Sequence, residues 1–153
     1  MSDPNSQRVR RIRVAEEQAT GMHHDYADEF ELSLSDADDL SPEQWLRAGI
    51  DNTPEWIKRI SGHQDGLGSA AIIESSTAVF VVRDSDTLME TTMIARNVAP
   101  TRRTLTTVLV YKRPILTAIV WSLVSPLHRY AAKRVIQGGV ATNRRGTQAS
   151  RDH

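Results

Sequence analysis

The sequence contains no cysteine, few aromatic residues and no net charge. Its 153 residues include 19 basic and 19 acidic side chains, and aromatic residues make up 5% of the chain. The absence of cysteine excludes disulfides, thiolate metal sites and a cysteine nucleophile. A neutral chain has no overall field that attracts nucleic acid, and few aromatic side chains stand near its basic residues to stack on nucleobases. We therefore expect no nucleic-acid partner.

Long hydrophobic stretches are also absent. The longest apolar run, Ile115–Leu127, has 13 residues, whereas a membrane-spanning helix needs about 18 or more. The basic start of the chain is not followed by an apolar segment, so it does not resemble a secretory signal. These features predict a cytoplasmic protein that has no transmembrane segment and at most weak peripheral contact with a membrane.

Charge is unevenly distributed along the chain. Residues 25–65 contain eleven acidic and three basic side chains, whereas residues 112–153 contain eight basic and one acidic. The two segments are expected to attract each other in the folded protein. Both chain ends have too few apolar residues to offset the entropy of ordering. We therefore divide the chain into a partly disordered N-terminal arm (1–23), a folded domain (24–137) and a disordered basic tail (138–153).

Apolar periodicity predicts the first elements of the folded domain. Alternating apolar residues indicate a half-buried strand over His24–Leu34. Ser41 and Gln44 have the spacing of a capping box, which predicts the start of a short helix. A second short helix is predicted from Thr53 to Gly62 by the same kind of start signal and by the terminal glycine.

Four strand-like runs and one long helix complete the pattern. The runs are joined by short polar segments, as in antiparallel hairpins: Ala70–Ser75, Ala78–Arg83, Thr87–Ala95 and Thr104–Tyr111. Pro114 begins a helix that extends to about Gln137, is apolar on most sides in its first half, and is expected to kink or break near Pro126. Such a helix must be covered, and the antiparallel sheet formed by the four strands is the available partner. The pattern predicts an α+β, helix-grip fold, in which a curved antiparallel sheet wraps around the C-terminal helix and two short helices follow the first strand.

Two short motifs resemble those of a bacterial family. Asp25-Tyr26-Ala27-Asp28 is similar to the Asp-aromatic-Ala-Asp strand of domain of unknown function family 2867, and Pro126 to Arg129 matches in part its Pro-Phe/Leu-His-Arg helix. This family is placed in the START-like (SRPBCC) helix-grip superfamily of ligand-binding proteins. The resemblance covers roughly Asp25–Ile136, but the chain departs from the family in its short loop before Ala70 and in the strand at Asp86–Glu90. It implies a helix-grip fold and no particular ligand.

A sheet that grips an apolar helix commonly leaves a cavity between the two. The residues expected to line it are large, apolar or aromatic, together with one histidine: Trp45, Trp56, Phe80, Met89, Met93, Tyr111, Trp121 and His128. Methionine side chains adapt to varied ligands, and Trp121 is expected on the buried inner face of the helix. Such residues are equally typical of a filled core, so the sequence leaves both interpretations open.

Polar residues near Pro126 suggest a structural ion pair. Arg129 is predicted to bind Asp25 or Asp28 and so to fix the helix against the first strand. No metal site is expected, because His23 and His24 are adjacent on a strand and point to opposite faces. No cofactor is expected either, since no phosphate-binding, dinucleotide-binding or hydrolase motif occurs.

These observations support three hypotheses for function. The first is non-catalytic binding of an apolar or amphipathic small molecule, such as a lipid or a polyketide-like compound, between the sheet and the C-terminal helix. The second is an enzyme of the cyclase or isomerase type that uses the same cavity, with Glu74, Glu90 or His128 as the acid or base. The third is docking to a membrane surface or a partner protein through the basic C-terminal helix.

Overall fold

The computed structural model of the chain describes residues 8–56, 67–68 and 70–140. Its strands are β1 (Arg8–Ile12), β2 (Tyr26–Ser33), β3 (Ala71–Ser75), β4 (Val79–Ser85), β5 (Met89–Ala99) and β6 (Arg102–Tyr111). The regular helices among these residues are α1 (Glu17–Thr20), α2 (Pro42–Asp51) and α3 (Pro114–Val135). The predicted α+β class is confirmed, because the long C-terminal helix α3 packs on an antiparallel sheet.

The described strands form one antiparallel sheet in the order β1-β2-β6-β5-β4-β3. The four strands expected after the short helices are all present, with ends shifted by a few residues. At the joint between β4 and β5, the Asp86 carboxylate accepts hydrogen bonds from the backbone N–H groups of Leu88 and Met89 at 2.7 and 2.8 Å. Strand β2 pairs with β6, so the strand that precedes α2 and the strand that precedes α3 are direct neighbours.

The N-terminal arm contributes an edge strand that the sequence pattern does not predict. Strand β1 pairs with β2 in an antiparallel register that places Arg10 opposite Glu31. The Arg10 guanidinium donates to the Glu31 carboxylate at 2.7 Å. Arginines dominate this segment and obscure its alternation. An edge strand tolerates such charged residues because one of its sides is open to water.

Helix α2 begins as the sequence predicts. The Ser41 hydroxyl accepts from the Gln44 backbone N–H at 3.2 Å, and the Gln44 side chain accepts from the Ser41 N–H at 2.8 Å. The helix buries Trp45, Leu46 and Ile50 against the sheet. The second expected short helix, from Thr53 to Gly62, lies mostly outside the described residues.

Helix α3 continues through Pro126 without ending near Ser125. Pro126 has no N–H to donate to the Ser122 carbonyl one turn earlier. Pro126 is exposed, so water can bind that carbonyl instead. Past the end of α3, Gly138 and Gly139 are buried rather than part of a free tail, and Gly139 has a φ of 78°. Residues 141–153 of the expected tail lie outside the described residues.

The two faces of the sheet carry separate apolar clusters. On one face, Phe30, Phe80 and Leu105 pack beneath α2 and the end of α3. On the opposite face, side chains such as Val81 and Ile94 pack against Ala19 of α1. Successive strand residues point to opposite faces, which explains how neighbours such as Phe80 and Val81 belong to different clusters. The face towards α3 is the one that borders the candidate site.

Candidate functional site

A cavity of about 310 Å³ lies between the sheet and the inner face of α3. Its wall on the helix comes from residues three or four positions apart, which share one face of an α-helix: Val120, Trp121, Val124, Leu127, His128 and Ala131. Strand residues, together with Ile50 of α2, lie across the gap from this wall. The described residues therefore leave a concave, mainly apolar site of the size that accepts small molecules.

Alternate residues of β5 and β6 form the opposite wall of the cavity. Met89, Thr91 and Met93 point into it from β5, and Leu105, Thr107 and Leu109 point into it from β6. The spacing of two follows from the pleat of the strands. Thr91 and Thr107 were missed in the sequence interpretation, although their alternation with Met93 and Leu109 is the signal that identifies them.

A polar cluster stands beside this apolar surface. The carboxylate of Asp28, which is 1% exposed, accepts a hydrogen bond from the Tyr26 hydroxyl at 2.8 Å. His128 Nε2 lies 3.3 Å from Oδ2 and 3.5 Å from Oδ1 of the same carboxylate. Strand β2 supplies Asp28 and α3 supplies His128, so this contact joins the helix to the sheet at the edge of the cavity.

Aromatic rings complete the cluster. The Trp121 ring lies 5.0 Å from the rings of both Tyr26 and His128, measured between centroids. Burial raises the pKa of the Tyr26 hydroxyl, and the hydrogen bond to the Asp28 carboxylate raises it further, although Arg129 acts in the opposite direction. Tyr26 therefore stays protonated at neutral pH and remains a donor to Asp28.

Two buried donors near this cluster have no hydrogen-bond partner in the described part of the chain: Trp121 Nε1 and Arg129 Nε. A buried N–H without an acceptor costs about 1–3 kcal/mol relative to a paired one. The Trp121 ring lines the cavity, whereas its Nε1 atom is itself buried.

The structure separates the expected cavity residues into distinct groups. Met89, Met93, Trp121 and His128 line the cavity, and Trp121 is half-buried because it faces open space. The other four candidates are not part of the cavity lining. Trp45 of α2 and Phe80 of β4 are fully buried in the core between α2 and the sheet, Trp56 is 55% exposed, and Tyr111 lies at the end of β6 with its backbone N–H bound to Asp25.

The expected ion pair of Arg129 with Asp25 or Asp28 requires correction. No ion pair joins Arg129 to either carboxylate within the described ranges, and His128 is the partner of Asp28. The Arg129 side chain instead acts on the Tyr26 hydroxyl, where its hydrogen bond lowers the pKa. Asp25 instead accepts from the Tyr111 N–H at 2.7 Å.

Of the three acid–base candidates, only His128 borders the cavity. Glu74 lies on the edge strand β3, where it accepts from the Gln18 side chain at 3.0 Å. Glu90 points away from the cavity and lies 3.5 Å from Arg83. Two acids that the sequence interpretation missed, Asp84 near the end of β4 and Asp86 just after it, line the cavity. Acids in a turn give no periodic signal.

Comparison of the chain with protein-family models, with curated proteins and with solved structures finds no match. The resemblance to domain of unknown function family 2867 therefore rests on the two short motifs alone. Among the described residues, no helix is long and apolar enough to cross a membrane. The same residues contain no cluster of histidine and acidic side chains suited to a metal ion.

Proposed function

We propose that the protein binds an amphipathic small molecule between the sheet and the inner face of α3. The observation that carries this proposal is the cavity of about 310 Å³ and its apolar lining by Met93, Leu109, Val124 and similar side chains. Burial of apolar surface contributes roughly 25 cal/mol per Å² to binding, so an apolar ligand body gains affinity along this wall. The volume is near the lower end of ligand sites, which favours a single ring system or a medium-length chain.

The polar cluster supports an amphipathic ligand rather than a pure hydrocarbon. His128 supplies a polar group on the helix wall, and Thr91 and Thr107 supply hydroxyl groups on the sheet wall. A carbonyl, hydroxyl or carboxylate oxygen at one end of the ligand can hydrogen-bond to these groups. Apolar sites with a few fixed polar groups orient their ligands in this way.

Membership of domain of unknown function family 2867 is also a proposal. It is supported by the Asp25–Asp28 motif, whose last residue lies in the polar cluster, and by His128 of the second motif, which contacts it. The antiparallel sheet with a long C-terminal helix is compatible with the helix-grip superfamily that this resemblance implies.

Two neighbouring positions on α3 provide a matched test of ligand binding. Val124 lines the cavity, whereas Leu123 is 78% exposed on the other side of the helix. Val124→Phe fills the cavity, and Leu123→Phe adds an aromatic ring to the same helix outside it. Isothermal titration with decanoic acid should give saturable binding to the parent and to Leu123→Phe. Affinity should fall about tenfold or more in Val124→Phe, because the ring occupies the space of the ligand.

Two results would contradict ligand binding in this cavity. Equal affinities for the parent and Val124→Phe would place the ligand elsewhere, and no saturable binding of amphiphiles of several shapes would remove the proposal. Circular dichroism melts of the two variants report whether either has lost its fold.

The His128–Asp28 contact favours proton transfer as a second candidate function. When Nε2 carries the proton it donates to Asp28, and Nδ1 keeps the lone pair with which a general base accepts a proton. The predicted reaction is exchange of hydrogens next to the carbonyl of a ketone held in the cavity. With 2-tetralone in deuterated water, NMR should show protein-dependent exchange that His128→Gln abolishes and Glu90→Gln leaves unchanged. Identical exchange rates in both variants would eliminate this candidate.

A further inference from the structure

The outer face of α3 is apolar and uncovered. Of the large apolar side chains exposed in the described residues, five lie on this helix: Ile115, Leu116, Ile119, Leu123 and Tyr130. Ile115 and Leu123 are 82% and 78% exposed. Scattered exposed apolar residues are ordinary, but a contiguous group on one helix marks an interaction surface.

Helical geometry places these residues together and opposite the cavity wall. Ile115, Ile119 and Leu123 follow at intervals of four, and Tyr130 lies on the same side two turns later. The cavity-lining residues Val120, Val124 and Ala131 fall on the other side. One helix therefore presents one apolar face to the cavity and a second to the surroundings, so the exposure is not explained by the ligand site.

Cations border the outer face. Lys133 and Arg134 lie three and four positions after Tyr130 and are exposed, and the Arg134 guanidinium donates to the Tyr130 hydroxyl at 3.0 Å. Arg113 is exposed at the other end of α3. The sequence has no acidic residue between Lys112 and Val140, so every charged side chain of α3 itself is basic.

This charge pattern distinguishes between possible occupants. A second copy of the chain that docked through the same face would bring its own cations to the interface, with no acid on either α3 to neutralise them, and like charges oppose such a contact. An anionic lipid surface supplies both an apolar layer and negative headgroups. A Tyr side chain beside basic residues is also typical of the boundary between the two layers.

We propose that the outer face of α3 lies on the surface of an anionic phospholipid bilayer. The helix lies in the plane of the membrane, with Ile115, Ile119 and Leu123 among the acyl chains and Arg113, Lys133 and Arg134 against the headgroups. The cavity then opens beside the lipid rather than into it, since its wall is the opposite face of the same helix. This inference does not depend on the ligand proposal, because it rests on a different set of side chains.

Vesicle flotation tests the proposal with matched variants. Ile119→Asp combined with Leu123→Asp removes apolar surface from α3, and Ile72→Asp combined with Ile73→Asp makes the same change on β3, where the two side chains are 52% and 51% exposed. The parent and the β3 variant should bind vesicles of phosphatidylcholine with phosphatidylglycerol. The α3 variant should bind about tenfold or more weakly, and all three should bind pure phosphatidylcholine weakly.

A label reports the contact directly. The chain has no cysteine, so Leu123→Cys and Ile73→Cys each carry a single environment-sensitive fluorophore. Anionic vesicles should shift the emission of the label at 123 to shorter wavelength and leave the label at 73 unchanged. Raised salt should weaken the binding, since it screens the cations.

Three results would overturn the proposal. They are absence of binding to anionic vesicles, equal loss of binding in the α3 and β3 variants, and a dimer in sedimentation velocity that the α3 substitutions dissociate. The last result would assign the face to a second copy of the chain. Titration of the α3 variant with decanoic acid, without vesicles, reports the ligand proposal separately.

Discussion

Arg103 carries a charge that is almost fully withdrawn from water, since the residue is 2% exposed. Its guanidinium donates to the backbone carbonyls of Ile136 and Gly138 at 3.2 and 2.8 Å and forms an ion pair with Asp38. The same group lies over the Trp45 ring. Burial lowers the pKa of Arg103, and the Asp38 carboxylate opposes that change. One side chain on β6 thus holds the end of α3 and the loop before α2 in place.

Arg103→Lys should destabilise the protein by about 3 kcal/mol, because an ammonium group cannot reach three acceptors arranged for a planar fork. Urea denaturation followed by circular dichroism gives the free energy of unfolding. The adjacent Arg102→Lys is the control, since the Arg102 side chain is 48% exposed and its replacement should change little. Equal midpoints for the two variants would show that the Arg103 contacts contribute no net stability.

Glu16 and Arg96 form a second pair, on the opposite face of the sheet. The Arg96 guanidinium donates to both carboxylate oxygens of Glu16 at 2.7 Å. Burial alone would raise the pKa of Glu16, but the hydrogen bonds from Arg96 and from the Gln18 N–H outweigh it, so the pKa lies below its ordinary value of 4.5.

A lowered pKa in the folded state predicts a definite pH dependence. The stability that Glu16 contributes is present above a pH of about 4.5 and is lost as the pH falls through the lower, folded-state value. Chemical denaturation from neutral to acid pH should therefore show a difference between the parent and Glu16→Gln that shrinks below this range. A difference that stays constant with pH would mean that the Glu16 charge is not the source of the stability.

Among the elements, α2 and the end of α3 approach each other more closely than any side chain allows. A Cβ atom built on Gly49 would lie 2.1 Å from the Val135 carbonyl oxygen, and one on Gly138 would lie 2.0 Å from that of Trp45. The contact is between backbones, so no rotamer change relieves it. These two glycines allow α2 to pack closely against the end of α3 and the residues after it. Ile50 and Val135, which line the cavity, lie at this contact.

Gly49→Ala should lower the free energy of unfolding by about 3 kcal/mol, since the two helices must separate to admit the methyl group. Gly21→Ala is the control, because the nearest atom to its added Cβ lies 3.4 Å away and the residue is exposed. Thermal melts of the two variants compare them directly. A Gly49→Ala variant as stable as Gly21→Ala would show that the helices pack less tightly than the structure indicates.

The elements also show what the sequence can and cannot predict. The Ser41–Gln44 capping box and the strands after it follow from local signals, and these predictions are confirmed. Strand β1 and the buried role of Arg103 depend on partners 17 or more residues away, which no local pattern contains. At the cavity, residue type and position on the C-terminal helix indicated Trp121 and His128, but a core aromatic such as Trp45 has the same local signal as a cavity aromatic.

The complete fold places two different apolar surfaces on the two sides of α3. The inner surface faces the cavity with Val124 and Trp121, and the outer surface exposes Ile119 and Leu123. The two proposals together place α3 between the ligand and the lipid surface. The zero net charge conceals this arrangement, because the cations around α3 are balanced by acids elsewhere in the chain.

Methionine NMR tests the central claim, ligand binding in the cavity, most directly. Met89 and Met93 line the cavity, whereas Met22 packs on the opposite face of the sheet. In protein carrying ¹³C-methyl methionine, titration with decanoic acid should shift the Met89 and Met93 methyl signals saturably and leave that of Met22 in place. Shifts of Met22 without those of Met89 and Met93, or no shift of any signal up to the solubility limit of the ligand, would contradict binding between the sheet and α3.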